Sequence, residues 1–322
     1  MERTNTLPLF DETTAWLLES QTPSIRYLTL TQLLGNPETD AEVQAVKRLI
    51  PANPPVKKIL DAQNEDGSWV NPRHIYSPKY RSSHWTMLLL TELAVDPQEK
   101  GMHKGSDFMQ TWVQGNMPQY LRRTEAGFGC FWGNWLRYQL YCGKADDPFT
   151  QQVIDFVCDD LENHGRCRYN SDLDCAWAVV RGLYGFAYLP ENKRSERVSH
   201  AIQTGIRFLL EDHDLLKTDY PADSKPHELW DKLSFPIFYH SDRLFVLRVL
   251  KEHHALDHPK AKPVMDWLAE KRGKTGRWHG GSPFASRTRP FLNKPDSVDH
   301  WLTLQALDVL GFQHFNRVIN HF

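Results

Sequence analysis

The sequence has no excess of positive charge. Its 322 residues carry 38 lysines and arginines against 40 aspartates and glutamates, a formal net charge of -2. With a pI near 6.7 there is no basic footprint for a phosphate backbone, so nucleic acid is excluded as an expected partner. No apolar run is long enough to span a bilayer, which leaves no integral membrane segment to expect. The opening residues, Met1-Glu2-Arg3-Thr4-Asn5, carry no charged-then-apolar leader, and a soluble cytoplasmic chain is expected. Cysteine is scarce: five residues, all between Cys130 and Cys175. An odd, clustered set makes no disulfide framework, so reduced thiols are expected, with Cys130, Cys142, Cys158 and Cys167 as small core residues. No segment alternates β-branched residues over strand length, which argues against a sheet. A glycine-rich phosphate loop, a Ser-His-Asp order with a nucleophile elbow and a His-Glu-x-x-His pair are all missing.

Tryptophan is abundant, with eleven residues in a chain that is 40% hydrophobic, and its distribution repeats. Asp66-Gly67-Ser68-Trp69 leads to Ser83-His84-Trp85, and Gly276-Arg277-Trp278 leads to Asp299-His300-Trp301. Between them Gly127-Phe128-Gly129-Cys130 leads to Asn134-Trp135, and Gly165-Arg166-Cys167 to Asp174-Cys175-Ala176-Trp177. A turn and helix recurring over nearly the whole length imply an array of equivalent units in one domain, residues 1–322.

Six helices, starting near Ser24, His84, Asn134, Asp174, His240 and His300, are apolar all round and are expected to be buried on every side. Each follows an amphipathic helix, predicted near 11–20, 41–63, 106–122, 150–163, 197–212 and 261–272. The second is broken by Pro51, Pro54 and Pro55. Six outer and six inner helices predict an all-α ring with parallel inner helices, their N-termini gathered at one mouth where unpaired N–H groups attract anions. His84, Asn134, Asp172, Asp174, Cys175, His240, Asp242, Asp299 and His300 are expected at that mouth, above Tyr27, Trp85, Trp135, Tyr138, Trp177 and Trp301. The long connections 70–82, 219–236 and 279–298 are candidate binding loops. Two of them carry Lys79, Arg81, Arg287 and Arg289, suited to hold a diphosphate or carboxylate head group over the mouth.

The stretch Val56-Lys57-Lys58-Ile59-Leu60-Asp61-Ala62-Gln63 with Gly67-Ser68-Trp69 resembles the glutamine-tryptophan repeat of the terpene cyclase and prenyltransferase superfamily of α/α toroids, over about residues 20–312. The resemblance implies an α6/α6 toroid with a central aromatic cavity. Class II cyclases open an inner helix with Asp-x-Asp-Asp, and Asp172-Leu173-Asp174-Cys175 is the similar run here, with cysteine in the last place. It implies acid-initiated cyclisation or isomerisation of a small isoprenoid or other lipophilic substrate, without a cofactor. Asp174 would be the acid, Asp172 its electrostatic partner, and His240 or His300 the group that orients or reprotonates it. Trp85, Trp135, Trp177 and Trp301 would stabilise positive charge.

The prenyltransferase β subunits of the same superfamily suggest a second reading. They hold zinc with an aspartate and a cysteine opening one inner helix and a histidine opening the next, which is similar to Asp174, Cys175 and His240 here, with His300 or His84 as a fourth ligand. Here the aspartate and cysteine are adjacent, and so point about 100° apart on a helix. Two further readings stand beside these: a non-catalytic binding module whose ring is filled by its own side chains, and a polysaccharide lyase or glycosidase, since such toroids host both. Asp172, Asp174 and Asp299 also satisfy what a helix N-cap or first turn asks for.

Overall fold

The computed structural model describes residues 7–116, 128–167, 169, 171–217, 227–284, 286–289 and 295–319. The regular elements among them are helices, and no strand or sheet forms; outside the helices there are three isolated bridges, Gln63 with Trp69, Cys167 with Leu173 and Ser234 with Gly281. In chain order the helices are α1 (Leu7–Leu18), α2 (Pro23–Leu28, continued as a wide turn over Thr29–Leu33), α3 (Ala41–Lys47), α4 (Pro54–Asp61), α5 (Ser83–Glu92), α6 (Lys100–Asn116) and α7 (Gly129–Tyr141). They continue with α8 (Pro148–Glu162), α9 (Ala176–Phe186), α10 (Glu196–Arg207, continued over Phe208–Asp212), α11 (Arg243–Glu252), α12 (Lys262–Glu270) and α13 (Pro295–Ile319, broken at Gly311).

Several of these starts are written into the sequence. Asp40, Asp147 and Asp242 each accept hydrogen bonds from the first free amides of α3, α8 and α11, and Ser195 does the same for α10. Proline opens α4 and α8, where its missing N–H costs nothing. Pro51, Pro54 and Pro55 divide the second outer segment into α3 and α4, as expected.

The two helix types separate as their patterns require. Every residue of α9 from Ala176 to Phe186 is buried, as is α5 from Ser83 to Thr91. The amphipathic α4 instead buries Val56 and Ile59 while its lysines face water. α5 packs on α7, α7 on α9, α9 on α11, α11 on α13, and α13 on α2 and its continuation; α6, α8, α10 and α12 each pack against one or more of these. α7 and α9 approach most closely because glycines face each other: a Cβ on Gly133 would fall 2.1 Å from the Arg181 carbonyl oxygen. One hydrophobic core runs from Leu17 to Leu310, with a small satellite around Leu30, Val43 and Val46. Each fully buried large side chain contributes on the order of 2 kcal/mol.

The first and last tryptophan turns are built by the same bonds. The Trp69 indole donates to the Ile59 carbonyl at 2.7 Å and its amide to Ser83 Oγ at 2.9 Å. The Trp278 indole donates to the Leu268 carbonyl at 2.7 Å and its amide to Thr303 Oγ1 at 3.0 Å. Each turn thus ties the end of an outer helix to an inner one. The glycine two residues before each tryptophan, Gly67 and Gly276, has φ of 90° and 79°, which a residue with a Cβ rarely adopts.

Three inner-helix starts differ from expectation: α11 begins at Arg243, so His240 lies ahead of its cap Asp242 and outside the helix. α7 begins at Gly129 and α13 at Pro295, so Asn134, Asp299 and His300 lie within helices rather than at their openings. The run Gly129-Cys130-Phe131-Trp132 continues the buried pattern backwards, and Pro295 supplies a helix start ahead of Asp299.

Candidate functional site

Aromatic rings gather around the first turns of α5, α9 and α11. Tyr80, at the end of the loop entering α5, stacks on Phe238 at 4.6 Å and meets Trp85 at 5.3 Å and Phe284 at 4.2 Å. Tyr76 meets Trp85 at 4.6 Å, and Trp177 stands edge-on to His240 at 4.9 Å. His240 also stacks on Phe284, and the Tyr239 ring lies 4.1 Å from it.

Two imidazoles are embedded in this cluster. His84 stacks on Phe131 at 4.5 Å, and its Nδ1 lies 3.2 Å from the hydroxyl of the fully buried Tyr138. Burial drives both His84 and His240 down to about 3, so they are neutral imidazoles. His84 Nε2 and His240 Nδ1 find no hydrogen-bond partner among the described residues.

Two cations, Lys79 and Arg287, overlie these rings, and Arg81 and Arg289 lie on the same two loops. The Lys79 ammonium is 4.4 Å from the centre of the Tyr239 ring, and the Arg287 guanidinium is 5.6 Å from that of Tyr80. Arg289 reaches Thr86, in the first turn of α5, at 3.5 Å. Burial, and secondarily the charge of Arg81, lower Arg289 to about 10. Among the described residues none of the four is paired with a carboxylate.

The aspartate run precedes α9, with Asp174 three residues ahead of Trp177 in the sequence. Asp174 is two-fifths exposed (40%), with its carboxylate 3.4 Å from His164 Nδ1. Asp172 is exposed with φ of 56°, its amide donating to the Cys167 carbonyl. Cys175 is buried and precedes the first turn of α9, its amide bonded to the His164 carbonyl. Asp242 is fully engaged as the cap of α11, and burial raises its carboxyl to about 7.

Other predicted residues lie elsewhere. His300 stacks on Trp16 of α1 at 3.7 Å. Trp135 packs against Phe149 of the outer helix α8, and Trp301 stacks on Phe235. Tyr27 donates its hydroxyl to Glu38 beside the satellite core. Among the described residues no group of three or more His, Cys, Asp or Glu side chains is arranged to hold a metal ion.

A second concavity, of about 230 Å³, lies among the later turns of the inner helices. It is polar, lined by Glu92 of α5, Arg137 of α7, Tyr184 of α9, Arg248 and Glu252 of α11, and Asp308 of α13. Arg137 lies between the Tyr184 and Tyr188 rings, at 3.9 and 3.7 Å, and donates to both Glu252 oxygens. Arg248 pairs with Glu92 at 3.1 Å, Tyr184 donates to Glu92, and Lys251 pairs with Asp308. The sequence does hold a signal for these residues: they are charges inside helices that are otherwise apolar on every side.

No protein-family model, curated protein or solved structure matches this chain.

Proposed function

We propose that the six helix pairs close into a single α6/α6 toroid of the terpene cyclase and prenyltransferase kind. The chain is then an enzyme acting on a small lipophilic substrate with an anionic head group. The observation that carries this reading is that Lys79 lies over Tyr76 and Tyr239, Arg287 over Tyr80 and Arg289 beside Thr86, none of them paired with a carboxylate among the described residues. Unpaired cations over an aromatic floor suit an amphiphile such as an isoprenoid diphosphate. Arginine takes the head group with paired donors, and ring faces accept the hydrocarbon and stabilise positive charge on it. Closure is supported by the packing series from α5 to α13 and α2, and by a cavity to which α2, α5, α7, α9, α11 and α13 all contribute.

In this reading Asp174 delivers a proton to an alkene of the substrate, and its pairing with His164 provides for its reprotonation. The cation that forms is held by the faces of Trp85 and Trp177, and the neutral His240, with Nδ1 unpartnered, accepts the proton released at the end.

The test is a binding comparison of farnesyl diphosphate with farnesol, followed by analysis of organic extracts for cyclised or isomerised product. Tighter binding of the diphosphate, weakened at least tenfold in the double variant Arg287→Ala, Arg289→Ala, is expected. Equal affinity for farnesol, or a diphosphate affinity indifferent to those substitutions, rejects the reading.

A further inference from the structure

The polar concavity among the later turns of the inner helices shares no lining residue with the aromatic cluster, and its chemistry is different. Carboxylates belong near the N-terminal ends of helices, where they meet positive partial charge. Glu92 and Glu252 instead occupy the last positions of α5 and α11, and Asp308 the closing turns of α13 before the break at Gly311. Three acids at the unfavourable ends of three helices are held there by three cations, each acid with its own: Arg248 for Glu92, Arg137 for Glu252 and Lys251 for Asp308. Packing alone would be served better by apolar residues of similar size, since desolvating an ion pair offsets most of its attraction.

The one-to-one pairing also defines what the cavity can hold. Its charges cancel, so an anion would have to displace a carboxylate from its arginine, and a cation would have to displace an arginine from its carboxylate. What remains available is hydrogen bonding. Paired carboxylates keep free lone pairs, paired guanidinium groups keep free N–H donors, and the amides of Gln32 and Gln305 serve both roles. Donors and acceptors are therefore both available around a neutral space. The hydroxyl group, donor and acceptor at once, is the ligand group that matches such a wall. At about 230 Å³ the space is smaller than a drug-sized pocket and suits one small ring. Glu252 and Tyr188, with 34% side-chain and 37% overall exposure, leave it open to solvent.

We propose that this cavity is a binding site for a small, uncharged polyhydroxylated molecule of monosaccharide or cyclitol size.

The test is calorimetric titration of the full chain with D-glucose, D-galactose, N-acetyl-D-glucosamine and myo-inositol, with sodium phosphate and glycine as charged probes. Gln32 is exposed on the rim, so Gln32→Trp fills the opening without touching the ion pairs. Leu34→Trp, at a position 45% exposed and outside the lining, is the control. The expected result is saturable binding of at least one polyol, weakened tenfold or more by Gln32→Trp and unchanged by Leu34→Trp, with both variants melting as the parent does. Binding of none of the four polyols up to about 50 mM, binding that survives Gln32→Trp, or preferential binding of phosphate or glycine overturns the proposal.

Discussion

The Lys79 ammonium stands 4.4 Å from the centre of the Tyr239 ring and 5.4 Å from that of Tyr76, with no carboxylate partner among the described residues. A cation held over two rings but left without a counter-ion is poised to take one from solution. Substituting Lys79→Gln leaves a polar side chain one atom shorter and removes the charge. Farnesyl diphosphate affinity is expected to fall about 5- to 10-fold, roughly 1 kcal/mol for a partly screened contact, while farnesol affinity stays the same. Tryptophan-fluorescence titration at low and high sodium chloride checks this, and the parent protein's salt dependence should be steeper than the variant's.

Asp174→Asn separates an acid role from a structural one. The side chain is 40% exposed and its contact with His164 Nδ1 is long at 3.4 Å, so the folded state loses well under about 1 kcal/mol. Turnover of whichever isoprenoid is accepted should nevertheless vanish, with binding retained. Thermal melting beside a product assay distinguishes the outcomes, and full activity in the variant removes Asp174 from the chemistry.

The helices were legible because burial on all sides leaves a mark that no amphipathic segment shows: Ala176 to Phe186 contains no exposed position, and its sequence contains almost nothing polar. The exception inside it, Arg181, shows what was hard to see. Its guanidinium is buried over the Phe245 ring at 3.8 Å and donates to the His240 carbonyl, a partner set by the fold and not by spacing. The cations Arg81, Arg287 and Arg289 were legible as loop charges, and the structure sets Arg287 over Tyr80 and Arg289 beside Thr86 in the first turn of α5. His300 was assigned by repeat equivalence to His84, yet α13 starts at Pro295 and carries that ring onto Trp16. The matching bonds of Trp69 to Ser83 and of Trp278 to Thr303 make Leu304 the counterpart of His84, so His300 lies one helical turn ahead of that position.

The equivalent turns predict equivalent losses. Trp69→Phe removes the indole bond to the Ile59 carbonyl, and Trp278→Phe removes the bond to the Leu268 carbonyl, both 2.7 Å long and buried. Each strands a carbonyl oxygen and leaves a small void, so each is expected to cost about 2–3 kcal/mol. Urea denaturation of the two variants should give values within about 1 kcal/mol of each other; a large difference would mean that the two units carry unequal strain.

Gly133→Ala tests the close approach of α7 and α9. The added carbon would lie 2.1 Å from the Arg181 carbonyl oxygen and 2.7 Å from the Gly182 amide nitrogen. These are backbone atoms, so the helices themselves must separate. Overpacking of this kind costs at least about 1–3 kcal/mol. Gly115→Ala, at a helical position with nothing within 4 Å, is the matched control and should be neutral or slightly stabilising. A Gly133→Ala protein as stable as the parent in urea would show that the helix pair can part freely.

Asp160 provides a test in which sign alone decides. Burial, helped by the charge of Asp159, raises its carboxyl to about 7, and its Oδ2 has no hydrogen-bond partner among the described residues. An unfolded aspartate titrates near 3.8, so between about pH 4 and 7 the folded chain binds a proton that the unfolded chain has released. The stability contributed by the neutral acid is complete at low pH, declines as pH rises through this window, and is gone above 7. Asp160→Asn is neutral throughout and has no such decline. His84 and His240 act in the opposite sense, weakening the fold as pH falls from about 6.5 toward 3, but they are present in both proteins and cancel in the difference. The stability of Asp160→Asn relative to the parent should therefore rise from about pH 4 to pH 7 and level off above that, whatever fixed offset the amide introduces. Denaturation midpoints across that range measure it, and a difference that stays flat or reverses would mean that the carboxylate is already ionised in the folded protein near pH 4.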